Sequence, residues 1–143
     1  MNIDDSILNK LYKLAEKASK NGEIPVSCCI LNKNNKIISW EINKRQKKYD
    51  VFGHAEVLCI QTAAKKIKDW RLDGYKMIVT LEPCDMCSMV ISKCRLDKVY
   101  YILESNSNEN TNIISINKQK LEVDPDYEIK FRKLLTDFFD NKR

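Results

Sequence analysis

Hydrophobic residues near the start of the chain recur first at helical spacing and then in short continuous runs. The helical spacing over roughly 4–20 predicts an amphipathic helix, and Asn21-Gly22 provides its C-terminal stop. Two apolar runs, over 26–31 and 37–42, are predicted to be strands. Because the polar residues 32–35 separate these strands, we expect them to form a β-hairpin.

Helix and strand patterns alternate in the middle of the chain. A helix over roughly 54–68 is followed by an apolar strand over 77–81, a short helix near 84–94 and a strand over 99–103. Strands that are separated by helices usually pair in parallel and are covered on both faces. The pattern therefore predicts an α/β sandwich with a partly parallel sheet.

The last part of the chain begins with a polar, asparagine-rich stretch over 104–117, which predicts a surface loop. Leu121 and Val123 are interpreted as a last strand, and a terminal helix is predicted from Asp126 onward. The apolar face of this helix would consist of Phe131, Leu134, Leu135, Phe138 and Phe139. Since no repeat or linker interrupts these elements, we expect one domain over 1–143.

The charge and cysteine content leave several classes of protein open. The chain has 25 Lys and Arg against 20 Asp and Glu, a formal net charge of +5, which fits a solvated surface as well as a polyanionic partner. No signal peptide and no apolar stretch of membrane-spanning length is visible, so we expect a cytoplasmic protein without a membrane partner. Six cysteines raise the alternative of a disulfide framework, but thiols that bind metal or lie buried suit a reducing compartment better.

Two short motifs combine the ligand types of a zinc site: His54-Ala55-Glu56, and Pro83-Cys84-Asp85-Met86-Cys87. The two cysteines lie three apart, so they share one face of a helix. The histidine and the glutamate lie ~200° apart on an ideal helix, so both can face one site only if the histidine stands at the helix entry.

Three nitrogen and sulfur ligands with an open fourth position are typical of a catalytic zinc. A structural zinc would need a fourth protein ligand, for which Cys28 and Cys59 remain open. Cys94 lies ~10 Å beyond Cys87 along a helix and is too far away.

Glu56 is the candidate proton carrier of this site. Zinc lowers the pKa of a bound water towards neutrality, and a nearby carboxylate that does not ligate can move the protons of a hydrolysis. The alternative is that Glu56 only caps its helix. His-x-Glu together with Pro-Cys-x-x-Cys is the signature of the zinc-dependent nucleobase deaminases.

Further stretches of the sequence resemble one family in particular, the bacterial-type transfer-RNA adenosine deaminases of the cytidine and deoxycytidylate deaminase superfamily. The stretches that carry the resemblance are 22–26, Asn43 with Arg45, 70–74, 80–87 and 134–139. The resemblance implies a three-layer α/β/α cytidine-deaminase-like sandwich with a central mixed five-stranded sheet. It also implies one zinc ion per chain, a homodimer, a tRNA anticodon stem-loop as partner, and conversion of the wobble adenosine to inosine.

The same resemblance assigns residues to the substrate. It implies that Asn43 hydrogen-bonds the target base and that the backbone N–H of Ala55 contacts it, although by its position alone Asn43 is a polar residue that ends a strand and could serve a turn. The candidate RNA contacts are Lys44, Arg45, Lys47, Lys48, Phe139, Lys142 and Arg143. The chain departs from the family pattern at 27–29, at 51–53 and in the 104–117 loop.

Two other functions remain as alternatives. A free-base or nucleotide deaminase of the same fold, acting on guanine, cytosine or deoxycytidylate, would carry the same two zinc motifs. A non-catalytic zinc-containing RNA-binding subunit would have no need of Glu56 beside the metal, so the presence of this residue argues against that function.

Overall fold

The computed structural model describes residues 2–105 and 113–141 of the chain, and these residues form four helices and five strands. The helices are α1 (Asp5–Lys20), α2 (Ala55–Ile67), α3 (Asp85–Lys93) and α4 (Pro125–Asp140). The strands are β1 (Ser27–Leu31), β2 (Ile37–Ile42), β3 (Lys76–Leu81), β4 (Lys98–Leu103) and β5 (Lys118–Lys120). Every helix predicted from the hydrophobic spacing is confirmed to within a residue or two, and so are the first four strands.

The five strands form one mixed sheet in the order β2-β1-β3-β4-β5. Strand β1 pairs antiparallel with β2, as the predicted hairpin requires, and also with β3. Strands β3, β4 and β5 run parallel to one another. The sheet therefore confirms the predicted mixed five-stranded α/β architecture.

Hydrophobic cores lie on both faces of the sheet, which makes the fold a three-layer sandwich. Alternate residues of the fully buried strand β1 point to opposite faces, as the pleat of a strand requires. Cys28 and Ile30 pack in the core beneath α2 and α3, whereas Cys29 and Leu31 pack in the core beneath α1 and α4. All six cysteines are free thiols, so the alternative of a disulfide framework is wrong.

The last strand differs from its prediction. We expected Leu121 and Val123 to form it, but β5 is the polar segment just before them and pairs in parallel with β4. The N–H of Leu121 still donates to Tyr101 O at 2.7 Å, just beyond the strand. An edge strand needs only backbone pairing on one side, so the apolar residues beside it are a poor guide to its position. Residues 113–117 lie in the predicted loop and have no regular structure, while 106–112 lie outside the described residues.

The topology brings two helix N-termini to one end of the sheet. Strand β3 ends at Leu81, and α3 starts a few residues later, at Asp85. The start of α2 lies beside the start of α3, because α2 packs against β1 and β2 and also contacts α3. Among the helices of the described residues, none is long and apolar enough to cross a membrane.

Candidate metal centre and active site

The three predicted metal ligands stand at the first turns of two helices. His54 is the N-cap of α2 and has an extended backbone (φ −76°, ψ 142°), so it lies outside the regular helix. Cys84 is likewise the extended N-cap of α3, and Cys87 follows one turn later. The helix entry required for His54 and Glu56 to share a site is thus present.

The ligand atoms of these residues converge. His54 Nδ1 lies 3.6 Å from Cys84 Sγ and 3.4 Å from Cys87 Sγ, and all three ligand atoms lie within 4.8 Å of one another. Tetrahedral zinc with bonds of about 2.3 Å to sulfur and about 2.05 Å to nitrogen separates these atoms by roughly 3.6 Å. The residues present therefore fit one zinc ion.

A fourth protein ligand is not found in residues 2–105 and 113–141, where these three residues are the one group that could hold a metal. Cys59 Sγ instead lies 3.1 Å from Ser39 Oγ, inside the core beneath α2. Cys28 belongs to the same core. Three ligands with an open position are typical of a catalytic site, whereas structural sites are closed by four.

Hydrogen bonds within the group favour negative charge on one sulfur, that of Cys84. The bond from Cys87, with a further bond from His54, lowers the pKa of Cys84 to about 4. The same sulfur–sulfur contact, together with burial, raises the pKa of Cys87, and the bond to Cys84 raises the pKa of His54. A thiolate is the form of cysteine that binds metal, so Cys84 is ready for a divalent cation, and Cys87 would release its proton when it binds one.

Glu56 lies beside the three ligands without belonging to their group. Its side chain is only 4% exposed and lies close enough to the side chain of Cys87 to interact with it. Burial, which disfavours the charged carboxylate, raises the pKa of Glu56. A raised pKa suits a carboxylate that must both accept and return protons near neutral pH.

Asn43 and Ala55 contact each other in the structure. The N–H of Ala55, expected to meet the target base, donates to Asn43 Oδ1 at 2.7 Å. The side chain of His54 makes no cap hydrogen bond, so Asn43 supplies the acceptor that the first turn of α2 needs. In this arrangement the Ala55 N–H is bound within the protein, and its direct contact with the base stays a prediction.

A cavity of about 820 Å³ opens over the site. His54, Glu56 and Cys84 line its wall, as do Asn43 and Arg45. Helix α4 contributes Arg132, Leu135, Phe138 and Phe139. The two phenylalanine rings stack edge to face with centroids 5.4 Å apart; Phe138 is 9% exposed and Phe139 is 49% exposed.

The candidate RNA contacts lie in different settings. Arg45 is exposed and lines the cavity, and Lys47 and Lys48 are exposed on the loop that follows it. Lys44 instead forms an ion pair with Glu41, with Nζ and Oε1 3.0 Å apart. Lys142 and Arg143 lie outside the described residues.

Among the acidic residues of the cavity wall, Glu23 and Glu82 make contacts that the sequence analysis did not predict. Glu82 forms an ion pair with Lys118 of β5 at 2.7 Å and accepts the N–H of Ser105 at 3.1 Å, so it ties the end of β3 to two later segments. Glu23 accepts hydrogen bonds from the loop after Asn43. Both lie in stretches that resemble the family, but nothing local to either residue reveals partners more than twenty positions away.

Comparison with known proteins agrees with this site. The cytidine and deoxycytidylate deaminase zinc-binding region matches residues 1–103. The tRNA-specific adenosine deaminase of Bacillus subtilis (strain 168) is 37% identical over 101 residues, which is 71% of this chain but only 62% of that protein. The protein of the same name from Buchnera aphidicola subsp. Schizaphis graminum is 32% identical over 99% of this chain and 97% of its own length.

Solved structures share the fold at lower identity. A structure from a study of A-to-I editing by tRNA:A34 deaminases at the wobble position of transfer RNA has a TM-score of 0.78 and 22% identity, over 91% of this chain and 99% of its own. A guanine deaminase from Nitrosomonas europaea has a TM-score of 0.77 and 13% identity, over 95% of this chain and 86% of its own. With the family match over residues 1–103 and the His54, Cys84 and Cys87 group that fits its metal, the chain belongs to the cytidine and deoxycytidylate deaminase family of zinc-binding proteins.

Proposed function

We propose that the protein hydrolyses the wobble adenosine of a tRNA anticodon to inosine, with release of ammonia. The observation that carries this proposal is the buried Glu56 beside the convergent His54, Cys84 and Cys87, at the base of a cavity. The likeness in fold does not distinguish RNA from a free base, because it extends equally to a guanine deaminase. The choice of RNA is supported instead by the relatives named tRNA-specific adenosine deaminase.

The chain's own residues divide the chemistry between them. When bound by His54, Cys84 and Cys87, zinc supplies an acidified water as the nucleophile. The water oxygen bonds to C6 of the adenine and the bond from C6 to the amine breaks. Glu56 takes one proton from the water and passes it to ring N1, then carries the second to the departing amine, which leaves as ammonia. Its burial keeps this proton transfer away from bulk solvent.

Asn43 would orient the base. Its Oδ1 accepts the Ala55 N–H, so the other end of the amide, Nδ2, is the end that can donate to a substrate. Among the described residues, no side chain or carbonyl accepts a hydrogen bond from Nδ2. A base whose edge presents a hydrogen-bond acceptor to Nδ2 would therefore be preferred.

The cavity suits a nucleotide that has left its stack. An anticodon loop presents bases that are extruded at low cost, and flanking bases can stack on aromatic side chains. Phe139 at the mouth of the cavity is half exposed and packs against Phe138, so it offers such a ring.

The proposed location of the protein is the cytoplasm, where a tRNA substrate would be encountered and where thiols stay reduced.

We also propose a homodimer with RNA crossing both subunits. Large hydrophobic side chains that are exposed in the single chain support it, among them Val51, Phe52, Trp70 and Met89. Sedimentation of the zinc-loaded protein tests this proposal, and a monomer with full activity on RNA would contradict it.

The proposed function is tested with the zinc-loaded full chain and two anticodon stem-loops that differ only in adenosine or guanosine at the wobble position. We expect inosine to form from the first, and no comparable release of ammonia from the second, from guanine, cytosine or deoxycytidylate. Faster deamination of a free base or nucleotide than of the stem-loop would overturn the assignment of RNA as substrate. Absence of any deamination by the zinc-loaded protein would favour the non-catalytic alternative.

A further inference from the structure

A buried carboxylate lies beneath the loop that joins Asn43 to His54, here called the 44–53 loop. Glu23, between α1 and β1, is only 2% exposed. Its Oε1 accepts the N–H groups of Arg45 and Gln46, both at 2.9 Å, and its Oε2 accepts the N–H of Lys47 at 2.8 Å. A buried charge is tolerated when it is fully hydrogen-bonded, and successive backbone N–H groups form a favourable concavity for an anion. The loop backbone thus wraps around the carboxylate.

The two ends of the 44–53 loop are also held together directly. The Lys44 N–H donates to Gly53 O at 2.8 Å. A Cβ at Gly53 would lie 2.8 Å from the Arg45 Cα, so the close approach of the two backbones leaves room only for glycine. Since Asn43 directly precedes this closure, the shape of the loop is transmitted to this cavity residue.

We infer that Glu23 is a positioning residue for the substrate, one that fixes the 44–53 loop and thereby holds Asn43 and Arg45 at the cavity. The inference rests on the proposed function, because it concerns how that site receives its RNA. Glu23 itself lines the cavity next to these residues. Within the described part of the chain, the three hydrogen bonds of this carboxylate all go to the loop backbone and none to the sheet, so it acts on the loop in particular.

The metal group has separate support. His54 is anchored to α2 through its carbonyl, which accepts the N–H of Leu58 at 3.1 Å, and the two cysteine ligands belong to α3. Loosening the loop should therefore leave zinc binding and the chemistry at Glu56 unchanged while it weakens substrate binding. This division gives the inference a kinetic signature, a rise in KM with little change in kcat.

The test compares Glu23→Gln with the zinc-loaded parent. The glutamine keeps one acceptor oxygen but turns an amide NH₂ towards a loop N–H, so two donors face each other. We expect KM for the adenosine stem-loop to rise about tenfold, the scale of one lost hydrogen bond to a charged group. We expect kcat to change less than about threefold, zinc content to stay at the parent value, and the amides of 45–47 to exchange hydrogen faster.

A matched control removes the same charge elsewhere. Glu122 is exposed, so Glu122→Gln changes the net charge equally without touching the loop. Loss of a negative charge alone should leave KM unchanged or lower it, because RNA is an anion. A rise in KM in Glu23→Gln would therefore be opposite in sign to a simple charge effect. If Glu122→Gln shows no such rise, the result supports a positioning role for Glu23.

A second pair of variants decides the question should Glu23→Gln fail to fold. Lys47→Pro removes the N–H that binds Glu23 Oε2, whereas Lys47→Ala retains it, and both lack the lysine charge. We expect a severalfold higher KM in the proline variant than in the alanine variant. Equal KM values in each variant and its control would overturn the inference. Should the parent itself not deaminate the stem-loop, the proposed function falls, and unchanged exchange of the 45–47 amides in the variants would still overturn the role of Glu23 in holding the loop.

Discussion

The six cysteines of the chain belong to two chemical settings. Cys84 and Cys87 stand in the first turn of α3, where hydrogen bonding holds the pKa of Cys84 at about 4. Burial raises the pKa of Cys28, and it raises that of Cys29 and Cys94 as well. The thiolate is therefore favoured at Cys84, beside His54, whereas the buried thiols of Cys28, Cys29 and Cys94 act as small hydrophobic side chains.

Glu56 carries the most direct prediction at the scale of one residue. Glu56→Gln keeps the size of the side chain but cannot take up and return protons, so the deamination rate should fall by ~10²–10⁴-fold or more. Zinc content should be unchanged, because Glu56 lies outside the group of ligands. Inosine formation and metal analysis on the same preparation provide the measurement. Near-normal turnover would show that another group moves the protons, and loss of zinc would make Glu56 a ligand.

At the scale of elements, α2 receives its N-terminal cap from another part of the chain. His54 occupies the cap position but directs Nδ1 towards the cysteine sulfurs, so it cannot also cap. Asn43, at the end of β2, provides the missing acceptor for Ala55. One amide thus stabilises the helix that carries Glu56 and also faces the cavity.

Two substitutions separate these roles of Asn43. Asn43→Ala leaves the Ala55 N–H without its acceptor and should lower the free energy of unfolding by about 0.5–2 kcal/mol, the usual value of a cap. Asn43→Asp keeps an acceptor at a helix N-terminus, where negative charge is favourable, so its stability should stay closer to the parent. Because aspartate lacks the Nδ2 donor, both variants should discriminate less between adenosine and guanosine stem-loops. Urea unfolding and paired kinetics measure the two effects, and equal stability of the two variants would contradict the capping role.

At the scale of the whole molecule, the metal joins two helices that are distant in sequence. His54 and Cys84 are thirty residues apart, and the sheet brings the helices that they begin to one end. A ligand that binds only the folded state stabilises it, by about 2.7 kcal/mol at a hundredfold excess over Kd.

Removing zinc should accordingly lower Tm. Thermal unfolding with and without a chelator measures the shift, and metal analysis should find about one zinc per chain beforehand. Cys84→Ser, which loses one of three ligands, should show a much smaller shift on chelation. A shift of the same size in this variant would place the stabilising metal elsewhere.

The basic surface should determine the salt dependence of RNA binding. Each phosphate contact with lysine or arginine releases counterions, so replacing both Lys47 and Lys48 with alanine should reduce the slope of log affinity against log salt by ~1–2. Lys44→Ala should change the slope less, because this lysine is already paired with Glu41. Stem-loop affinity over a series of salt concentrations tests both. An equal change per lysine would mean that the ion pair opens when RNA binds.

The sequence by itself determined the elements and the metal chemistry of this protein. The spacing of apolar residues predicted all four helices and four of the five strands, because burial on one face imposes the period of the element. The spacing of Cys84 and Cys87 and the need for His54 to stand at a helix entry followed from helix geometry, and both are found in the structure. Such features are local, so a few neighbouring residues suffice to specify them.

Only the tertiary structure decided which groups meet across the chain. The bond from Ala55 to Asn43, the carboxylate of Glu23 beneath the 44–53 loop, and the pairing of β5 all involve backbone N–H or C=O groups. Every residue except proline carries the same backbone donor and acceptor, so their partners leave no mark on residue type. The sequence could therefore predict the metal group, whereas the arrangement that would hold a substrate beside it emerged only from the fold.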